Sequence, residues 1–204
     1  MGFRKGENPN HPKKGSAIKV DPIRDLRLIQ EIKSLLLAQN KIRDHCLFTL
    51  GVNTAWRANE LLSLRVSHVV HLDAGDILEI KQSKNRRYRK TLLNREVIKA
   101  LKLWLEIYKP EANHAPLFPS NNRKTALTVP TLTGMVKRWC LEVGANGNYG
   151  SHSLRKSWGY HQRMTYEAPL ALLVSAFGHS SERQTLDYLG IQPAEISDLF
   201  RNEI

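Results

Sequence analysis

Sulfur, acid and long apolar runs are all in short supply in this chain, and each shortage closes off a class of protein. The two cysteines among 204 residues, Cys46 and Cys140, both fall inside apolar helical patterns. They therefore read as small buried hydrophobes in a reducing, cytoplasmic setting and not as a disulfide framework. No apolar run approaches the about 20 residues that a membrane helix needs, and the N-terminal MGFRKGENPN lacks the apolar core of a signal peptide. Carboxylates are outnumbered, with 19 Asp plus Glu against 31 Lys plus Arg, for a formal charge of +12. A surplus of that size points to a polyanionic partner. HExxH and CxxC are missing, so His152, His161 and His179 lack the usual companions of a zinc site. The G-x-S-x-G turn of a serine hydrolase is missing too.

What is present fits one domain preceded by an arm. Residues 1 to about 20 are rich in Gly, Pro, Asn and Lys and read as a flexible basic arm, with Lys13 and Lys14 as nucleic-acid contacts. Asp21 and Pro22 read as the cap and first residue of a helix running to about Gln39, and a second helix is expected from Lys41 to about Asn53. Arg57 then opens a short helix, where pairing with Glu60 on the next turn is a structural explanation of its own. From Ser67 to Leu93 the apolar period switches to two, with LDAGD as a turn, so about three antiparallel strands are expected. The second turn, KQSKNRRYRK, holds Lys81, Lys84, Arg86, Arg87, Arg89 and Lys90. Such density repels itself unless an anionic backbone lies against it. Helices from Asn94 to Tyr108 and from Pro130 to Gly144 follow, and GANGNYG reads as a flexible turn.

The last quarter of the chain carries the chemistry. Ser151 reads as an N-cap, which puts His152 and Arg155 on one helix face a turn apart. A short apolar helix, LALLVSAF, stops at Gly178, and His179 emerges just past that stop. Ser181 with Gln184 resembles a capping box, so Tyr188 rides on a separate helix about two turns in, free to converge with His179. Arginines, a lysine, histidines and a tyrosine without carboxylates suit attack on a phosphodiester. Fixed guanidinium groups can bind the extra charge of the pentacoordinate transition state without a metal. A tyrosine hydroxyl, with an ordinary pKa of about 10, needs a base or a cationic neighbourhood to become the nucleophile.

Those residues resemble the tyrosine recombinase, or phage integrase, family. TAWRANELLSL is similar to the family's first arginine box, SHSLRKS to the second, and FGHSSERQTLDYL to the histidine-tyrosine box. The resemblance runs from about Asp21 to the end of the chain. It implies a mainly α fold with a small three-stranded antiparallel sheet, and a catalytic set of Arg57, Lys84, His152, Arg155, His179 and Tyr188 acting on double-stranded DNA with no metal, cofactor or ATP. Tyr188 would form a 3′-phosphotyrosine link, Arg57 and Arg155 would hold the nonbridging oxygens, and His179 would donate a further bond. His152 would serve in proton transfer and Lys84 would protonate the leaving 5′ oxygen. Ala55 stands where members usually carry Gly. Most members have a separate helical domain before the catalytic one; here residues 1–20 would be an arm and 21–204 the catalytic unit, with no such domain, as in a minimal catalytic-domain-only recombinase or else a fragment. Pro193 is expected to start a last helix whose Ile196, Leu199 and Phe200 dock in cis or on a neighbouring subunit, four protomers assembling on DNA from a free monomer or weak oligomer. The family's bacterial, plasmid or phage members work in the cytoplasm at the nucleoid. Two alternatives share these residues, a DNA-binding regulator of the same fold and a DNA-relaxing type IB topoisomerase.

Overall fold

The computed structural model describes residues 19–81, 88–110, 112–121, 125–191, 198–201 and 203. Eight helices and one hairpin follow in the order α1 (Leu26–Ala38), α2 (Ile42–Asn53), α3 (Ala58–Leu62), β1 (Ile77–Lys81), β2 (Tyr88–Leu92), α4 (Arg95–Tyr108), α5 (Val129–Glu142), α6 (Ser151–Met164), α7 (Leu170–Phe177) and α8 (Glu182–Leu189). The mainly α expectation holds, with a small antiparallel sheet beside it. No described helix is long and apolar enough to cross a membrane.

Helix α2 is the hub because eight consecutive residues, Asp44 to Gly51, are buried, which only a helix packed on several sides can achieve. It packs against α1, α4 and α6. Gly51 permits the last of these approaches, since a Cβ there would meet Leu154 Cδ1 at 2.5 Å. Phe48, Trp139, Trp56, Leu132 and Phe118 fill this main core. Cys46 and Cys140 lie within it as free thiols, and burial pushes Cys140 up to about 12. A second, smaller cluster of Ala55, Leu173, Phe177 and Leu189 sits among α6, α7 and α8, with Tyr188 and Trp158 packed on it.

Four local expectations are corrected. The first helix starts at Leu26, capped by Asp25, whose carboxylate accepts from Arg27 N at 2.8 Å. Asp21 is engaged elsewhere: its N–H donates to Asn148 O at 2.7 Å and its carboxylate accepts from Asn148 N at 2.8 Å. Ile23, fully buried, donates its N–H to Ser157 Oγ at 2.7 Å. Tertiary partners have taken the groups a helical turn would use, and the same clasp holds the 144–150 turn that reads as flexible in the sequence.

The sheet has two strands, not three, with Ile77 opposite Leu92 and Lys81 opposite Tyr88. The expected first strand is a 3-10 turn at Val66–His68. Val66 N and Ser67 N donate to Ala115 O and Asn113 O at 3.1 and 2.7 Å. Val66, Val69 and Leu72 are buried while Val70 is exposed, so the apolar spacing there is three and not two. Helix α6 is capped by Gly150, with Ser153 Oγ accepting from Gly150 N at 3.1 Å, while Ser151 Oγ accepts from Thr133. The C-terminal segment shows a 3-10 turn at Asp198–Arg201 with Phe200 exposed; the expected helix start at Pro193 lies outside the described residues.

Candidate active site

The carbonyl of Ala55 is the point around which the site is tied. Its segment leaves α2 at Thr54, runs extended through Trp56 and enters α3 at Arg57. Trp56 anchors it, buried and donating Nε1–H to Thr91 Oγ1 on β2 at 2.8 Å. The Ala55 carbonyl then accepts from two guanidiniums, Arg155 Nη1 from α6 and Arg89 Nη1 from β2, the latter at 2.7 Å. Arg89, expected among the DNA-contacting residues of the hairpin tip, turns inward here, and burial lowers its pKa.

Arg155 is almost fully buried, at 2% exposure. Besides Ala55 O it donates Nη2–H to Phe177 O at 2.8 Å, and its guanidinium carbon lies 4.7 Å from the Phe177 ring centroid and 5.9 Å from that of Tyr188. Burial lowers its pKa to about 10, and the two carbonyls offset part of that cost by accepting from the charged form. Arg57 caps α3 and is one-third exposed. Its N–H donates to Glu60 Oε2 at 2.7 Å and its Nη1 to Glu60 Oε1 at 3.2 Å. The pairing read as a structural explanation is therefore present, and it aims the arginine as well.

His152 lies exposed one turn before Arg155. Loss of water around its ring, then the charges of Arg155, Lys156 and Arg57, lower its pKa. His179 follows Gly178, whose φ of +65° closes α7 as a left-handed cap. Its ring stacks on Phe177 at 5.0 Å between centroids, and its Nδ1 lies 3.0 Å from the buried Thr185 hydroxyl. Desolvation and the nearby Arg155, Arg57 and Arg89 bring it down to about 4.

Tyr188 lies edge-on to Phe177 and His179, at 5.3 and 5.1 Å between centroids, and Lys156 Nζ is 5.2 Å from its ring centroid. Its hydroxyl oxygen is buried, and no hydrogen bond of ordinary geometry reaches it from the described residues. Burial raises its pKa, while Arg155, by its charge and by hydrogen bonding to the phenolate, and then the charge of Arg57 oppose that shift. A cavity of about 270 Å³ opens beside it, lined by His152, Lys156, Gln184 and Asp187 among others. A cavity of about 830 Å³ near Arg65, Tyr108 and His114 holds none of these residues.

Arg57, Arg155, His179 and Tyr188 thus converge from three chain segments, with His152 at the rim. Lys84, Arg86, Arg87, Lys13 and Lys14 lie outside the described residues, as does the side chain of Lys81; Lys90 is exposed on β2. His161, weighed as a metal ligand, is a buried staple instead: Nε2 bonds Ile23 O at 2.9 Å and Nδ1 lies 3.0 Å from Thr165 Oγ1. Among the described residues no three His, Cys, Asp or Glu side chains gather as they would around a metal ion. Sequence reasoning missed the Ala55 carbonyl, Lys156 and Thr185. The first is backbone and leaves no sequence signal, whereas Lys156 directly follows Arg155 and Thr185 lies one turn before Tyr188.

Comparison with known proteins supplies the family. The sequence profile of the phage integrase family matches residues 25–195. A probable integrase/recombinase of Bacillus subtilis, YoeC, is 34% identical over 175 residues, covering 84% of this chain and 90% of that protein. Tyrosine recombinase XerC of Caldanaerobacter subterraneus is 26% identical over 179 residues, covering 83% of this chain and 48% of that one. The crystal structure of XerH site-specific recombinase in a post-cleavage complex with palindromic difH substrate superposes with a TM-score of 0.72 and 26% identity, covering 90% of this chain and 53% of that one. The chain therefore spans about half the length of XerC and XerH. With a family match over most of its length and a relative this similar, the chain belongs to the phage integrase family.

Proposed function

We propose that this chain is a site-specific DNA recombinase that cuts and rejoins DNA through a covalent bond from Tyr188 to the 3′ phosphate, without metal or ATP. The observation that carries the proposal is the meeting of Arg155, Arg57 and His179 around a tyrosine whose buried hydroxyl faces the Arg155 guanidinium yet makes no hydrogen bond of ordinary geometry among the described residues. A side chain kept only for packing gains nothing from a buried, unsatisfied hydroxyl. A nucleophile awaiting its substrate does.

In the cleavage step Tyr188 Oη forms a bond to phosphorus, the bond from phosphorus to the 5′ oxygen breaks, and the tyrosine proton leaves toward His152. Lys84, between β1 and β2 in the sequence, returns a proton to the departing 5′ oxygen. Arg57 and Arg155 take the developing charge on the nonbridging oxygens, and His179 donates a further hydrogen bond to it. A 5′-hydroxyl from the same strand reverses the step; one from another duplex completes an exchange. The Tyr188 ring packs on Phe177 and His179 with its hydroxyl buried, so attack on a phosphate requires α8 to shift. Its left-handed flanking glycines, Gly178 and Gly190, are where that motion is easiest.

Residues 1–20 serve as a basic arm and residues 21–204 as the catalytic unit, which works in the cytoplasm on nucleoid DNA as four protomers around two duplexes. Incubation with a nicked suicide duplex in EDTA tests the function. A covalent protein–DNA adduct that disappears in Tyr188→Phe is expected. An adduct that survives Tyr188→Phe or needs a divalent ion refutes the proposal, and no adduct with tight DNA binding favours the regulator.

A further inference from the structure

Thr185 is fully buried on α8, one turn before Tyr188, and its hydroxyl meets the His179 ring. That hydroxyl lies 3.0 Å from His179 Nδ1 and 3.3 Å from the Ser181 carbonyl, and its single hydrogen can be given to only one of them. The Ser181 carbonyl already accepts the helical bond from Thr185 N at 3.3 Å, so it does not need the hydroxyl. The ring nitrogen is the nearer of the two, and the ring packs on aromatic side chains, Phe177 stacked at an interplanar angle of 17° and Tyr188 at 75°. Its Nε2 has no hydrogen-bond partner among the described residues.

We propose that Thr185 is a positioning residue that donates to His179 Nδ1 and thereby holds the neutral imidazole as the Nε2–H tautomer, its donor edge free for the scissile phosphate. The inference deepens the recombinase reading and rests on it for its catalytic consequence. A neutral imidazole has one N–H, and which nitrogen carries it is set by the bond the other makes. Without the threonine, the proton divides between Nδ1 and Nε2, and part of the population offers the phosphate a lone pair in place of a donor. The arginines that face the ring, Arg155 from α6, Arg57 from the start of α3 and Arg89 from β2, together with its burial against Phe177 and Tyr188, keep it neutral at ordinary pH. Tautomer control is what a neutral ring requires; a charged ring donates from both nitrogens and needs none.

That difference supplies a readout which packing alone would not move. Thr185→Val removes the hydroxyl, and Thr185→Ser restores it with one methyl fewer. With wild-type protein forming adduct on the suicide duplex, Thr185→Val is expected to form it about tenfold more slowly near neutral pH. That gap should narrow as pH falls and the imidazole charges, while Thr185→Ser stays within about threefold of wild type and DNA affinity is unchanged in all three. A valine variant as fast as wild type, or one whose deficit is constant with pH and not relieved by serine, overturns the inference. Nitrogen-15 NMR of His179 in the free protein decides it even if wild type forms no adduct. Wild type should show the Nε2–H form and Thr185→Val a mixture, and an Nδ1–H form in wild type refutes it.

Discussion

Replacing Glu60 separates the two jobs its carboxylate performs, capping α3 and aiming Arg57. The bond from Arg57 N at 2.7 Å is part-buried, on the side of the buried Glu60, and charge-assisted, and such a bond contributes about 1.5–3 kcal/mol. The ion pair to Arg57 Nη1 at 3.2 Å is weaker, because the arginine is 32% exposed, and adds about 0.2–1 kcal/mol. Glu60→Ala should therefore cost about 2–4 kcal/mol. Glu60→Gln keeps a neutral acceptor for the cap, of about half the strength, and should cost about 1–2 kcal/mol. Urea denaturation of both variants reads those values. If the site holds a phosphate as proposed, removing a negative charge from it should leave DNA binding equal or tighter, yet free Arg57 to swing, so single-turnover adduct formation on a suicide duplex should slow. Glu60→Gln with wild-type stability and wild-type cleavage would refute the reasoning, and weaker binding with normal chemistry would show that the carboxylate's charge matters in the opposite sense.

Other outcomes follow from the same geometry. Tyr188→Phe removes a buried hydroxyl that makes no hydrogen bond of ordinary geometry among the described residues, so it should abolish the adduct while leaving the fold equally stable or more so by about 1 kcal/mol in a urea titration. Gly159→Ala places a Cβ against Phe177 Cζ and 2.8 Å from Leu189 Cδ2, so the seat of Tyr188 and His179 must shift. Adduct formation should fall even though alanine is the better helix former by about 1 kcal/mol, and unchanged cleavage contradicts the placement. His45, His152, His161 and His179 all bind protons less readily in the folded chain than at the ordinary pKa of about 6.5. The unfolded chain therefore takes up more protons below that pH, and stability should drop as pH falls from about 6.5 toward about 4. A urea midpoint at pH 5 equal to that at pH 7 would count against it. Deleting residues 1–18 should weaken DNA binding and flatten its salt dependence, and unchanged binding would remove the arm from the account.

The fold and site were legible where the cause is local. Asn94 caps α4, Gly178 ends α7 and Ser181 accepts from Gln184 N at 3.1 Å, each set by the side chain at that position. The spacing of His152 and Arg155, and the separate helix for Tyr188, came from the same rules. What failed depended on partners distant in the chain. Asp21 caps no helix because Asn148 holds it, and Ser67 joins no strand because the 113–115 loop takes its N–H. Arg89 reads as one more basic residue at a hairpin tip, and only the fold turns it toward Ala55 O. Thr185 reads as a polar position on an amphipathic helix until His179 is brought against it.

The central claim is that Tyr188 carries the DNA, and the most direct measurement is to digest the covalent complex formed on a nicked duplex and identify the modified peptide by mass spectrometry. The account predicts a phosphate-linked 3′ DNA end on the peptide containing Tyr188 and a free 5′-hydroxyl on the other fragment. Attachment to any other side chain, or to a 5′ phosphate, would contradict it.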